Sequence, residues 1–302
     1  MWRTRIIGAA LGAAIALPAA AFAPEQPPEV NKPAPEAGVE FVSKIDAYDG
    51  LASWVDMYNK GPWKYPKRTA KRMAERGTKT LFLQTSNYRK KSDIYKPRAM
   101  SKLLEASHNH GMKVIAWYLP SYANPKRDWR RTKKAVVFES TNGHHFDGFA
   151  MDIEATVERD IATHNRRMIN LSDRLRNFVG DDYMLGAIIP DPVMQLFWPN
   201  FPYKKVNARY DVFLPMAYWT YRTSGPKRVY RYSRSALEIV RSKTGDPKVP
   251  VHVIGGIAGR APVTEVRSFV RAVKNFEAVG ASLYDFPITS EEQWDEMQRI
   301  NR

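Results

Sequence analysis

Asp152 and Glu154 stand two residues apart in the run Phe146-Asp147-Gly148-Phe149-Ala150-Met151-Asp152-Ile153-Glu154. If that run is a strand, alternation puts Ala150, Asp152 and Glu154 on one face and Phe149, Met151 and Ile153 on the other. The apolar face must meet a hydrophobic layer, so the two carboxylates point the other way. Two acids held this close in a confined place cannot both ionise freely. Repulsion and partial loss of water raise a pKa, which keeps a carboxylic acid protonated near neutral pH and able to give its proton to a reacting oxygen. The competing reading is an ion pair with one of the many Arg or Lys side chains of the chain.

Such a pair needs a strand end that opens onto a cavity, and the rest of the chain supplies one. Short β-rich runs recur about every 30 residues: Val39–Asp46, Thr80–Ser86, Lys113–Leu119, Gly148–Glu154, Met184–Ile189, Val212–Tyr218, Val251–Gly255 and Ala281–Phe286. Amphipathic stretches separate them. Val266, Phe269, Val270, Val273 and Phe276 mark one helical face, with Gly280 expected to end that helix, and Met168, Leu171, Leu175 and Phe178 mark another. Ser290-Glu291-Glu292-Gln293 is a capping-box pattern opening the last helix. Eight strands alternating with helices predict an α/β fold, a (β/α)8 TIM barrel in a single domain, whose chemistry sits at the C-terminal strand ends. An open doubly wound sheet would be the alternative, but no Gly-rich phosphate loop follows an early strand.

At those ends the expected site gathers Glu154 and Asp152 with Asp46, Gln84, Trp117, Asp191, Tyr218, Trp219 and Tyr284 around them. Strand seven ends in Ile254-Gly255-Gly256-Ile257 without an acid, so Asp191 and Asp285 are the remaining second carboxylates. Asp191, between two prolines, reads equally as a turn residue. The loops after strands five and six carry Phe197, Trp198, Phe201, Tyr203, Tyr221, Tyr230 and Tyr232. Some of these rings should be platforms for pyranose C–H faces, and the rest should pack the loops. His108, His110, His144 and His145 precede strands three and four and fall at the opposite end. No metal site and no cofactor are expected.

The motif Asp147-Gly148-Phe149 followed by Asp152 and Glu154 resembles the D-G-x-D-x-D-x-E strand of chitinase-type glycoside hydrolases. Met216-Ala217-Tyr218 is similar to their Met-x-Tyr, and Gly280-Ala281-Ser282-Leu283-Tyr284 lies where they carry Gly-x-x-x-Trp. The resemblance follows the whole barrel in order. It implies that Glu154 protonates a glycosidic oxygen, that Asp152 orients an N-acetyl group whose oxygen attacks the sugar carbon, that Tyr218 supports that group, and that Tyr284 forms a floor beneath the ring. Ala150 stands where the family has a further Asp, and Trp219 where it has an acid. Sugar identity and stereochemical course therefore stay open, as does the choice between cutting a glycan and only binding one on a hydrolase-like barrel.

The 302-residue chain is 44% hydrophobic, ample for a large core, and its lack of cysteine excludes disulfides and thiolate chemistry. Arg3 and Arg5, the apolar run Ile6–Leu17 and the small-residue end Ala21-Phe22-Ala23 predict a signal peptide over 1–23. A Pro-rich linker over 24–38 and the barrel over 39–302 follow. The protein is thus expected to be secreted, to the exterior or the cell envelope, as a monomer with no membrane span after cleavage. Its formal charge of +16 favours anionic surroundings. The basic runs Lys126–Lys134 and Lys227–Arg234 follow strands at the reactive end, which suits an anionic envelope polysaccharide or oligosaccharide. Nucleic acid is not expected as a partner, because export removes it. A third reading is a polycationic envelope protein whose barrel mouth is incidental.

Overall fold

The apolar runs form eight strands: β1 (Gly50–Val55), β2 (Thr80–Asn87), β3 (Lys113–Leu119), β4 (Gly148–Asp152), β5 (Leu185–Ile189), β6 (Val212–Pro215), β7 (His252–Ile257) and β8 (Gly280–Tyr284). In this computed structural model, which describes residues 44–154, 157–194, 198 and 200–301, every named pairing is parallel and the order is β6-β5-β4-β3-β2-β1-β8-β7. Among the described residues only the bridges Phe213–Val251 and Met216–Ile254 join β6 to β7, so the ring closes there through its thinnest seam. The predicted (β/α)8 barrel is therefore present. The expected leader and linker, and 39–43 of the expected first strand, lie outside the described residues.

The first strand is a correction. β1 begins at Gly50, and Ile45–Tyr48 is a 3-10 turn beneath the barrel. Tyr48 is fully buried and plugs the N-terminal end, its hydroxyl donating to the carbonyl of Phe149 at 2.9 Å. Gly186 leaves room for that ring, since a Cβ there would lie 2.8 Å from Tyr48 Cε1.

Two apolar layers result from strand alternation. Phe149, Met151 and Ile153 belong to the outer layer under the helices. Ala150 joins Trp54, Phe82, Ile115, Trp117, Ile188 and Ile254 inside the barrel. Each fully buried side chain of Phe or Met size contributes about 1.5–3 kcal/mol, which pins the register of β4 and hence the side to which Asp152 points.

The helices are α1 (Lys60–Lys64), α2 (Pro66–Glu75), α3 (Pro97–Asn109), α4 (Pro125–Val136), α5 (Ile161–Val179), α6 (Tyr203–Asn207), α7 (Pro226–Thr244), α8 (Val263–Asn275) and α9 (Glu291–Met297). Proline opens α2, α3, α4 and α7 at the first turn, where its missing N–H costs nothing. The Ser290–Gln293 capping box of α9 is present. Gly280 does not end α8: the chain leaves that helix at Phe276 and Glu277, and Gly280 starts β8. Among the described residues no helix is long and apolar enough to cross a membrane.

Candidate active site

Asp152 closes β4, and the amide of Ile153 still donates to the carbonyl of Ile188 at 2.8 Å. That extra rung carries the strand's direction to Glu154, and both carboxyls enter a cavity of about 270 Å³ at the C-terminal mouth. Trp54, Trp117, Ile188, Met216, Tyr218, Tyr221, Ile254, Ile257 and Tyr284 complete its lining. The aromatic rings brace one another: Trp54 stacks on Phe82 at 4.1 Å and meets the edge of Trp117 at 5.2 Å. Tyr284 sits 6.2 Å from Tyr218 and 6.3 Å from Trp117 between ring centres.

The two acids occupy different surroundings. Asp152 is only 2% exposed. The indole of Trp117 donates to its Oδ2 at 2.9 Å, while Oδ1 is buried without a partner among the described residues. Burial, then the charge of Glu154, pushes its pKa well up, against the hydrogen bond from Trp117. Glu154 keeps an exposed side chain yet loses enough surrounding water to raise its pKa, with Arg89 pulling the other way. The pair titrates as a unit, and the arrangement holds a proton into a pH range where an ordinary carboxyl has lost it. Burial and then these two acids also raise the Tyr218 hydroxyl, which stays a proton-bearing donor.

A second acidic pair lies under Tyr284, whose hydroxyl donates to Asp56 Oδ2 at 2.8 Å. Asp56 Oδ1 accepts from the amides of Tyr58 and Asn59 at 2.8 and 3.0 Å. Asp285 is raised to about 7, by burial and then by the charge of Asp56.

Of the residues expected from the sequence, Asp152, Glu154, Trp117, Tyr218 and Tyr284 converge on the cavity. Four others do not. Asp46 lies at the opposite end with Asp49, Lys79, Lys113 and Glu277, around a larger open hollow of about 610 Å³. That hollow is on the face where barrels carry stability and not chemistry. Gln84 is buried, and its Oε1 accepts from the amide of Met57 at 3.2 Å, holding the loop after β1. Asp191 accepts from the amide of Val193 at 3.0 Å and from the hydroxyl of Tyr232, with Arg222 at 3.5 Å, so it is a turn residue braced by its neighbours. Trp219 has no exposure at all; it packs on Phe269, and its indole donates to Glu265 at 2.9 Å.

Among the loop aromatics Tyr221 reaches the mouth, half open to solvent. Trp198, Phe201 and Tyr203 are buried in mutual packing, and Phe197 lies outside the described residues. Trp54 and Asp56 lie beyond the expected first strand, which ends at Asp46; Trp54-Val55-Asp56 carries the signal of an acid directly after an apolar run. His108 and His144 lie at the far end as expected, with Nδ1 atoms 2.8 Å apart. Among the described residues no group of three or more His, Asp or Glu is placed to hold a metal ion.

No family model matches the sequence, and no curated protein does. The fold has many counterparts among solved structures. A chitinase from Chromobacterium violaceum superposes with a TM-score of 0.57 over 83% of this chain and 98% of its own, at 11% identity. The endo-β-1,4-mannanase of Thermotoga petrophila gives 0.60 over 87% and 77%, at 10% identity. The spore cortex-lytic enzyme of Bacillus cereus gives 0.59 over 83% and 74%, also at 10%. At such identities the likeness is one of fold.

Proposed function

We propose that this protein hydrolyses a glycosidic bond in a polysaccharide or oligosaccharide, with Glu154 as the general acid and Asp152 as its partner. The observation that carries the reading is the pair of carboxyls, both raised in pKa, at the base of an aromatic-lined mouth on the C-terminal side of a parallel barrel. Three solved enzymes of the same fold are a chitinase, a mannanase and a cortex-lytic enzyme, which supports a glycan as substrate.

The chemistry follows from the surroundings. A protonated Glu154 gives its proton to the leaving glycosidic oxygen as the bond breaks, a step worth about 10²–10⁴-fold in rate. Asp152 stays too deep to meet bulk water. Its unpartnered Oδ1 is an acceptor suited to the N–H of a 2-acetamido group, with the Tyr218 hydroxyl as a donor beside it. Tyr284 and Tyr221 offer ring faces to the sugar. Within this reading the chain is exported and works outside the membrane as a monomer, on envelope glycans among anionic polymers, to which a charge of +16 draws it.

The test is a panel of wall and storage glycans assayed for new reducing ends with the mature protein and with Glu154→Gln. Release of reducing ends by the parent, lost in the variant while binding persists, supports hydrolysis. Equal binding by both proteins with no cleavage of any glycan overturns it and leaves a glycan-binding protein, the reading that Ala150 favours.

A further inference from the structure

Several cations of this basic chain have acids beside them. Arg130, Lys134 and the buried Arg131 converge on Asp93, so much of the Lys126–Lys134 run clamps the loop after β2. Arg176 pairs with Asp211, Arg209 with Asp173 and Arg267 with Glu296. At the mouth, Arg222 pairs with Asp191.

Arg89 and Arg260 stand beside the mouth without such a partner. Both are exposed, and among the described residues neither has a carboxylate within 4 Å. Each guanidinium is laid against a tyrosine instead. Arg89 sits 5.2 Å from the ring centre of Tyr88, with its Nε donating to that hydroxyl at 2.9 Å. Arg260 sits 4.9 Å from the ring centre of Tyr221, itself part of the cavity wall. A guanidinium held on a ring keeps the planar fork of N–H donors that carboxylate and phosphate fit. Arg89 follows β2 and Arg260 follows β7, three positions apart around the ring, so they flank the cavity.

We propose that the site takes a glycan bearing an anionic substituent, a carboxylate or a phosphate ester, beside the scissile bond, and that Arg89 and Arg260 read it. The inference rests on the glycan reading above and narrows its substrate class. It also couples binding to chemistry. Arg89 is the cation whose charge draws the Glu154 proton away. A substrate anion seated on Arg89 cancels that pull, so the acid is best protonated when its substrate is in place.

Binding is measured in the Glu154→Gln protein, where no cutting intervenes, at 0.15 M salt or about one Debye length of 8 Å. The probes are two matched pairs: polygalacturonate against its methyl ester, and phosphodiester-bearing wall glycan against the same glycan stripped of phosphodiesters. The expected result is that one charged member binds about tenfold more tightly than its neutral partner. Arg89→Gln with Arg260→Gln should abolish that preference, and Lys71→Gln with Lys243→Gln, which remove equal charge from exposed helix positions, should leave it within about twofold. The pair that responds identifies carboxylate or phosphate. Equal affinity for charged and neutral members in both pairs overturns the inference, as does an equal loss in the two double variants, which would mean bulk charge attraction alone. Hydrolysis is scored separately with Glu154 intact. Cutting without charge preference removes this inference and keeps the proposed function; charge preference without cutting does the reverse.

Discussion

Two aspartates at the two ends of one strand have opposite fates. At the start of β4, Asp147 accepts hydrogen bonds from His108 at 2.8 Å, from the amide of Val114 at 2.8 Å and from Lys113 at 3.1 Å. Burial pushes its pKa up, but those bonds and the charges of His108 and Lys113 outweigh it and hold the carboxyl below its ordinary value. At the other end, Asp152 has one neutral donor, an empty oxygen and an acid for a neighbour. The same side chain is satisfied where the barrel needs holding together and left wanting where it opens. Unsatisfied burial is a cost to stability, and at the mouth it is what the proposed function asks of Asp152.

The contrast can be broken by substitution. The largest effect is expected from Glu154→Gln, about 10²–10⁴-fold in hydrolysis rate with the thermal midpoint within a degree or two; a rate that barely changes would place the acid elsewhere. Next come the two aspartates. Asp147→Asn should lose about 2–3 kcal/mol of stability with near-parental turnover once folded, and Asp152→Asn should lose turnover while its midpoint at pH 8 holds or rises. Denaturant unfolding beside rate assays reads both, and the same ranking in both assays would erase the distinction.

The pH dependence of stability separates the ends further. A carboxyl lowered by folding stabilises fully above its unfolded pKa, so the Asp147 contribution fades as pH falls below about 3.8. One raised by folding does the opposite. Asp285, at about 7 in the fold against 3.8 unfolded, costs stability increasingly as pH climbs through that window. Asp285→Asn should therefore stabilise by about 2–4 kcal/mol at pH 8 and by almost nothing at pH 3.5. Paired melts at the two values test it. The smallest effect is expected from Trp117→Phe, which removes the donor to Asp152: about fivefold in rate, one hydrogen bond's worth, and a rise in the pH at which the acid pair titrates.

Much of the site was readable because β4 alternates cleanly, and because eight apolar runs at even spacing leave few folds. Where reading failed, the cause was local. Gly50-Leu51-Ala52-Ser53 has little strand preference of its own; it joins the sheet because Leu51, Trp54 and Val55 bury there. Asp46 therefore sits before β1, at the N-terminal end, and Asp56 is the acid that follows the strand. Trp219 reads as a mouth residue because it directly follows Tyr218 at the end of the run, but β6 ends at Pro215 and the chain turns into a 3-10 segment at Trp219. Its ring passes outward over Gly255, where a Cβ would lie 2.6 Å from Trp219 Cζ3. No strand pattern encodes that handover between neighbours. Arg89 and Arg260 carry no motif signal, since what distinguishes them is their place beside the mouth, against Tyr221 and near Glu154.

The seam between β6 and β7 sets how the hoop can give. Pro215 has no amide hydrogen, and two bridges do the work of a ladder. Small widening of the staves is therefore easiest beside Met216 and Ile254, both in the cavity wall. A bulky chain threading the mouth would meet its least tied wall there, away from the laddered β3–β4 side that carries the acids.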